Sequence, residues 1–244
     1  MSSQSFRFKQ FEVFHDKCAM KVGTDGVLLG AWTAKMFGHC DATDILDIGT
    51  GSGLIALMTA QRFADAHIIG IDIDTAAVNQ ANENFLRSPW SNRLEAQLCD
   101  FSTFKPDRKF DIATCNPPFF RDSLKNPDLQ RAQARHNDSL PYNILINQTI
   151  DNLLKDNGIL CIIIPYSEEK TVLQIATEHQ VTHICHIRTY PGKDFKRSII
   201  AISHKDLKHL TDSSFNIQYS ELTLETIDHQ RSEEYINLTK ECYL

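Results

Sequence analysis

The chain of 244 residues contains no Cys-x-x-Cys pair, no long apolar run and no low-complexity tract, and each absence removes a class of protein. Its seven cysteines (18, 40, 99, 115, 161, 185 and 242) are scattered and odd in number, which fits reduced thiols rather than a disulfide framework, several of them in core strands. His39-Cys40 and Cys185-His186 lack partners at zinc spacing, so no metal is expected. Ile159 to Ile164 is far too short to cross a bilayer, and Met1 to Gln10 has no apolar signal-peptide core. A cytoplasmic, unexported protein with no membrane association is the expectation. With 42% hydrophobic and 23% charged residues, the chain can build a substantial core.

Positive charge is also scarce. The formal net charge of -6 argues against a protein that coats nucleic acid, because phosphate contacts need Lys and Arg. The deficit is uneven, however. Between Lys105 and Arg135 seven basic residues (105, 108, 109, 121, 125, 131 and 135) face four acidic ones, while Asp206 to Leu244 holds eight acids and three bases. The local basic excess surrounds one short segment, Asn116-Pro117-Pro118-Phe119, and an anionic substrate would dock there.

That segment follows the apolar run Phe110 to Cys115. Two prolines fix their φ angles and remove two N–H donors, so the carbonyls of the turn face a ligand without competing donors. The Asn116 side-chain oxygen and the Pro117 carbonyl can each accept one hydrogen of a planar NH2 group, and Phe119 offers a face on which its ring can stack. A Pro-rich turn that merely closes a buried strand is the competing reading of these four residues.

From residue 44 onward strand and helix patterns alternate, which predicts an α/β fold with a mostly parallel, doubly wound sheet. Seven strands are expected, at 44 to 48, 67 to 72, 94 to 98, 110 to 115, 158 to 164, 182 to 188 and 197 to 203. Helices are expected at 53 to 64, 75 to 87, 140 to 155 and 167 to 179. The whole chain, 1 to 244, reads as one domain. Residues 1 to 40 form an N-terminal cap and a helix capped by Thr24 or Asp25, 41 to 205 the core, and 206 to 244 a C-terminal extension with a further strand or hairpin and a terminal helix or tail. The polar stretch between Phe119 and Leu140 reads as a binding loop.

The first core strand ends in Asp47-Ile48-Gly49-Thr50-Gly51-Ser52-Gly53 and then enters an apolar helix. Such a turn lets a ligand approach the backbone closely. A dinucleotide fingerprint would need a third glycine where Leu54 stands, and a P-loop would need Gly-Lys-Ser/Thr, so nicotinamide and nucleotide-phosphate readings lose ground. Asp72 at the end of the second strand is placed to hold two ribose hydroxyls, with Asp74 as a helix cap. Asp100, after the third strand, suits the amino group of an adenine, with Phe101 against its ring.

Asp47 to Gly53, Asp72, Asp100 and Asn116 to Phe119 together resemble the ordered motifs of Rossmann-like class I S-adenosylmethionine-dependent methyltransferases that methylate amino groups. Flanking segments, Phe11 to Gly26 and Tyr235 to Leu244, resemble the bacterial tRNA1(Val) (adenine(37)-N6)-methyltransferase family, which extends the likeness over nearly the whole chain. The resemblance implies S-adenosylmethionine as cofactor and tRNA as substrate, with methyl transfer to N6 of adenine. It implies Lys21 and Thr24 near the methionine end of the cofactor. Arg121, Lys125, Arg131 and Arg135 are the expected contacts to the RNA backbone, in a monomer with no obligate protein partner.

The turn alone names only a planar amine, so a release-factor glutamine amide or N2 of a ribosomal guanine are alternative acceptors. A catalytically silent nucleotide- or RNA-binding module is the reading from another class; it could dispense with the intact Asn116 to Phe119 turn.

Overall fold

The computed structural model describes residues 4–18, 20–118, 140–205 and 216–243. A short antiparallel hairpin, β1 (Ser5–Arg7) and β2 (Glu12–Phe14), precedes α1 (Thr24–Phe37). The core then runs through β3 (Asp44–Ile48), α2 (Leu54–Arg62), β4 (His67–Asp72), α3 (Thr75–Arg87), β5 (Leu94–Leu98) and β6 (Phe110–Cys115). It continues through α4 (Tyr142–Gln148), β7 (Leu154–Pro165), α5 (Glu169–Ile175), β8 (Gln180–Arg188) and β9 (Arg197–Ser203), and ends with β10 (Gln218–Thr223) and α6 (Glu233–Thr239).

The seven expected core strands are all present, and β10 adds an eighth, giving the order β10-β8-β9-β7-β6-β3-β4-β5. Neighbours are parallel except β9, which runs antiparallel to both β7 and β8. The chain starts at β3, moves outward through β4 and β5, and returns on the other side of β3 as β6 and β7. This reversal opens a crevice at the C-terminal strand ends between β3 and β6.

Alternate strand residues supply two cores. Ile45, Ile112, Cys161, Ile163, Ile199 and Ala201 pack on the face covered by α1, α2, α3 and α6. Leu46, Ala113, Ile162, Ile164, Ile200 and Ile202 pack on the opposite face, with α4 and α5. Strands buried on both faces read as continuous apolar runs, which is why Ile159 to Ile164 looks as it does. Each fully buried Ile or Leu among them contributes about 1.5–3 kcal/mol.

Gly26 and Gly30 let α2 lie close against α1. A Cβ on Gly26 would come within 3.0 Å of Leu54 Cδ2, and one on Gly30 within 2.8 Å of Met58 Sδ. This contact places the first turn of α1 beside the first turn of α2, at the C-terminal edge of the sheet.

Three expectations are corrected. The N-cap of α1 is Gly23, without a side-chain bond; Thr24 is the first helical residue, and Asp25 in the first turn instead accepts a hydrogen bond from Arg197 Nε at 2.9 Å. The helix expected at 140 to 155 ends its α-helical part at Gln148 and continues as a π turn, Thr149–Leu153. β7 starts at Leu154 rather than 158, because Phe110 pairs with Leu154 and Ile112 with Ile159, leaving a bulge that carries Lys155 toward Asp111 (2.8 Å) and Asp44 (3.2 Å).

The N-terminal hairpin buries Phe8, Phe11 and Val13 against the core, and Lys9 N–H donates to the Cys242 carbonyl at 2.8 Å, so both extensions meet. Among the described residues no helix is long and apolar enough to cross a membrane.

Candidate active site

Gly49, Gly51 and Gly53 have φ of +69°, +56° and +81°. Residues with a Cβ reach this region only at a cost of roughly 1–2 kcal/mol. The Gly49 and Thr50 N–H groups both donate to the Ile71 carbonyl at 2.9 Å, which pins the turn to the end of β4. Nothing lies within 4 Å of where a Cβ would stand on Gly49 or Gly51, whereas one on Gly53 would meet Phe85 Cε1 at 2.4 Å. The first two glycines therefore border open space, and the third is a packing residue against α3.

Asp47 lies beneath this turn. It is 1% exposed, its Oδ2 accepts from Thr50 Oγ1 at 2.7 Å, and its Oδ1 accepts from Thr114 Oγ1 at 2.9 Å. Burial pushes its carboxyl up to about 6, against the opposing effect of the two hydroxyls. Thr50 in turn stands over Gly70 of β4, where a Cβ would be 2.7 Å from its Oγ1. Asp47 thus braces the turn through Thr50 and ties β3 to β6; both of its oxygens are engaged inside the protein.

Asp72 is half-buried at the end of β4, its Oδ2 accepting from Gly51 N–H and its Oδ1 from Asp74 N–H, both at 2.9 Å. Each carboxylate oxygen keeps a further lone pair. Asp74 caps α3 by accepting from Ala76 N–H at 2.9 Å, as its place in the sequence suggests. Asp100 is exposed after β5; its Oδ1 accepts from Ser102 N–H and Oγ at 2.8 Å, and its Oδ2 has no partner among the described residues. Phe101 is 7% exposed and its ring belongs to the α4-side core, so it backs the strand end rather than offering an open face. Two apolar side chains that the motifs pass over flank these acids: Ile73 and Leu98, each 57% exposed. Their signal in the sequence is an aliphatic residue at a position the strand cannot bury.

The segment before α1 crosses the same edge. Lys17 N–H donates to Gln80 Oε1 at 3.2 Å and its ammonium pairs with Glu83 at 2.6 Å. Burial, then the neighbouring Asp72, Asp74 and Asp16, push the Cys18 thiol up to about 11. Lys21 and Thr24 are exposed at the entry to α1.

Asn116 follows β6 on the other side of the crevice. Its side-chain Oδ1 is buried and has no hydrogen-bond partner among the described residues, while Pro117 is buried and Pro118 exposed. A buried carboxamide oxygen left without a donor costs about 1–3 kcal/mol. Thr33, Gln61, Thr149, Arg188 and His204 each hold a buried polar atom without a partner among the described residues too, and Asn116 differs from them in its place at the end of β6, at the switch point. Tyr142, at the start of α4, is a further residue beside this strand end; burial and the neighbouring Glu168 and Cys115 push its hydroxyl up to about 12, so it stays a donor at neutral pH. Phe119, Arg121, Lys125, Arg131 and Arg135 lie outside the described residues.

An open glycine cradle, a carboxylate with spare lone pairs, exposed aliphatic side chains and a free acid oxygen stand at one half of the edge, and an amide oxygen without a partner among the described residues stands at the end of the neighbouring strand, across the switch point. These groups fit a nucleoside-bearing cofactor beside an amine acceptor. Among the described residues no group of three or more His, Cys, Asp or Glu could hold a metal ion.

A family model described as a methyltransferase domain matches residues 39–213. Among solved structures, one described as a predicted O-methyltransferase from Agrobacterium tumefaciens superposes with a TM-score of 0.66 at 17% identity, covering 89% of this chain and 96% of that one. The methyltransferase subunit of a type I restriction-modification system from Streptococcus thermophilus superposes with a TM-score of 0.54 at 13% identity, over 78% and 46%. The protein therefore has the class I methyltransferase fold.

Relatives at higher identity narrow the class. A protein of Bacteroides thetaiotaomicron is 47% identical over 100% of this chain and 99% of its own length, and one of Flavobacterium psychrophilum 43% over 98% and 99%; both bear the name tRNA1(Val) (adenine(37)-N6)-methyltransferase. The chain belongs to that methyltransferase family.

Proposed function

We propose that the protein transfers a methyl group from S-adenosylmethionine to the exocyclic N6 of an adenine in tRNA, adenine 37 of tRNA1(Val), acting as a cytoplasmic monomer without an obligate protein partner. The observation that carries this is the buried Oδ1 of Asn116, without a partner among the described residues, at the end of β6, the strand that pairs with the one leading into the glycine turn. The full-length likeness to the named relatives supports the choice of acceptor.

S-adenosylmethionine, when bound, supplies a sulfonium methyl already activated for attack. Gly49 and Gly51 would leave room for it over the turn, Asp72 would accept from its ribose hydroxyls, and Asp100 from its adenine amino group, with Ile73 and Leu98 against the purine. Asp47 and Gly53 hold that cradle from beneath. Lys21 and Thr24 are the residues proposed for the methionine end.

The N6 lone pair of adenine is delocalised into the ring and is a poor nucleophile. Asn116 Oδ1 and the Pro117 carbonyl, each accepting one N6 hydrogen, favour a pyramidal nitrogen whose lone pair is directed at the methyl group. The same two acceptors stabilise the positive charge that develops on nitrogen. The proton leaves to water afterwards, so no dedicated base is needed. Phe119 would stack on the out-turned base and offset an unstacking cost of about a few kcal/mol. Arg121, Lys125, Arg131 and Arg135 would hold the flanking RNA backbone.

The test is transfer of labelled methyl from S-adenosylmethionine to tRNA1(Val) transcripts carrying adenine or guanine at position 37. Label only in the adenine transcript is expected. Label in a release factor, or in ribosomal RNA, with none in either transcript overturns the assignment.

A further inference from the structure

The nucleoside cradle occupies the strand ends of β3, β4 and β5, which leaves the ends of β7, β9 and β8 on the far side of Asn116 without a role. Cys115, the last residue of β6, pairs with Ile162, and three residues further along β7 Pro165 pairs with Arg197, so Tyr166 and Arg197 stand at the same edge of the sheet as Asn116, on the strands one and two places from β6, with about 5 Å between neighbouring strands. Arg197 in turn pairs with Ile187, and the connection from Arg188 back to Arg197 closes the edge.

This corner collects aromatic rings and cations. His186 lies 5.2 Å from the Tyr166 ring, 5.0 Å from Phe195 and 6.1 Å from Tyr219, centroid to centroid. Its Nε2 is 2.9 Å from Glu169 Oε2, the same oxygen to which the buried Ser198 hydroxyl donates, and this fixes the ring. Tyr166 and Tyr219 are 40% and 64% exposed. The Arg188 guanidinium lies 4.3 Å over Phe195, and Lys193 5.4 Å from the Tyr190 ring. From Arg188 to Arg197 there are four cations and one acid, Asp194, in a chain of net charge -6. Arg188 and Arg197 are paired with Glu221 and Asp25, whereas Lys193 and Lys196 are exposed and have no carboxylate partner among the described residues.

We propose that the Tyr166, Tyr219, Lys193 and Lys196 surface is a single-stranded RNA track that holds the nucleotides flanking the target adenine. The inference rests on the reading of tRNA as substrate and adds a second contact surface to it. Exposed rings at the margin of a cation-bearing loop suit unpaired bases, because every base has a face to stack, and the two lysines without a carboxylate partner among the described residues suit the phosphates between them.

The test uses the full-length protein, with methylation of tRNA1(Val) followed as a function of tRNA concentration and salt. Lys193→Glu together with Lys196→Glu should raise KM for tRNA about tenfold and lower the slope of log affinity against log salt by about 1.4–1.8, with kcat within twofold and affinity for S-adenosylmethionine unchanged. Tyr219→Ala should raise KM about fivefold without moving the salt slope, since stacking releases no counterions. An unchanged KM and salt slope in the lysine variant, with wild type methylating tRNA normally, overturns the track and leaves the substrate assignment standing. Failure of wild type to methylate tRNA, with the lysine variant impairing methylation of a protein substrate, overturns both and assigns the surface to a protein.

Discussion

Thr114 on β6 donates its hydroxyl to Asp47 on β3 across 2.9 Å, joining the strand that ends in the glycine turn to the strand that ends in Asn116. The second oxygen of Asp47 takes the Thr50 hydroxyl at 2.7 Å. The two halves of the crevice therefore share one buried carboxyl, and their relative position depends on it.

That carboxyl titrates in a defined window. In the unfolded chain it ionises near 3.8, and in the folded protein burial raises it to about 6. The folded state binds the proton more tightly, so this group's contribution is complete below about pH 4, is lost as pH rises to 6, and is level above. The loss amounts to about 3 kcal/mol. Asp47→Asn removes the titration. The unfolding free energy of wild type minus that of the variant, from urea titrations, should fall between pH 4 and 6.5 and then stay constant; a difference independent of pH would contradict the burial argument. Asp44 and Asp111, whose carboxyls are held low chiefly through hydrogen bonds that outweigh their burial, cancel in this difference.

The three glycines should separate by experiment. Gly51→Ala meets open space, so it should cost only the backbone strain, about 1–2 kcal/mol, while weakening binding of S-adenosylmethionine at least tenfold in calorimetry. Gly53→Ala adds a collision with Phe85 to the same strain and should cost about 3 kcal/mol or more. Equal stability losses in the two variants would refute the division into site and packing glycines.

Asn84 is 1% exposed and its amide bonds to the Phe14 N–H at 3.0 Å, the Phe14 carbonyl at 2.8 Å and the Ser52 carbonyl at 2.8 Å. Asn84→Ala leaves these backbone groups without their partner and should destabilise by about 3 kcal/mol. Amide exchange at Phe14 should rise with it. Protection at Phe14 that survives the substitution would show that the N-terminal segment is held otherwise.

Much of this was legible in the sequence, and the reasons differ by residue. The parallel core was visible because both faces of its central strands are buried, which makes runs such as Ile159 to Ile164 continuous. Asp74 as a cap was readable from its position before Thr75. The bulge at Lys155 to Gly158 was not, since only the pairing of β6 with β7 shows that Phe110 faces Leu154. The N-cap at Gly23 was missed because Asp25, a good capping residue, is drawn to Arg197, 172 positions away in sequence. The motif reading grouped Asp47 with Asp72, but a strand's alternation puts Asp47 on the buried face it shares with Ile45, where Thr50 and Thr114 meet it. The Tyr166 and Tyr219 corner had no motif, because its residues come from three separated segments.

The proposed role of Asn116 is to accept a hydrogen of the substrate amine through Oδ1, which has no partner among the described residues. The most direct measurement is the single-turnover rate of N6-methyladenosine formation in tRNA1(Val) by Asn116→Ala, at saturating S-adenosylmethionine and with unfolding free energy determined on the same preparation. The account predicts a rate at least 100-fold below wild type, with stability within about 1 kcal/mol, because removing this buried oxygen breaks no bond to any described residue. A rate within tenfold of wild type would contradict it.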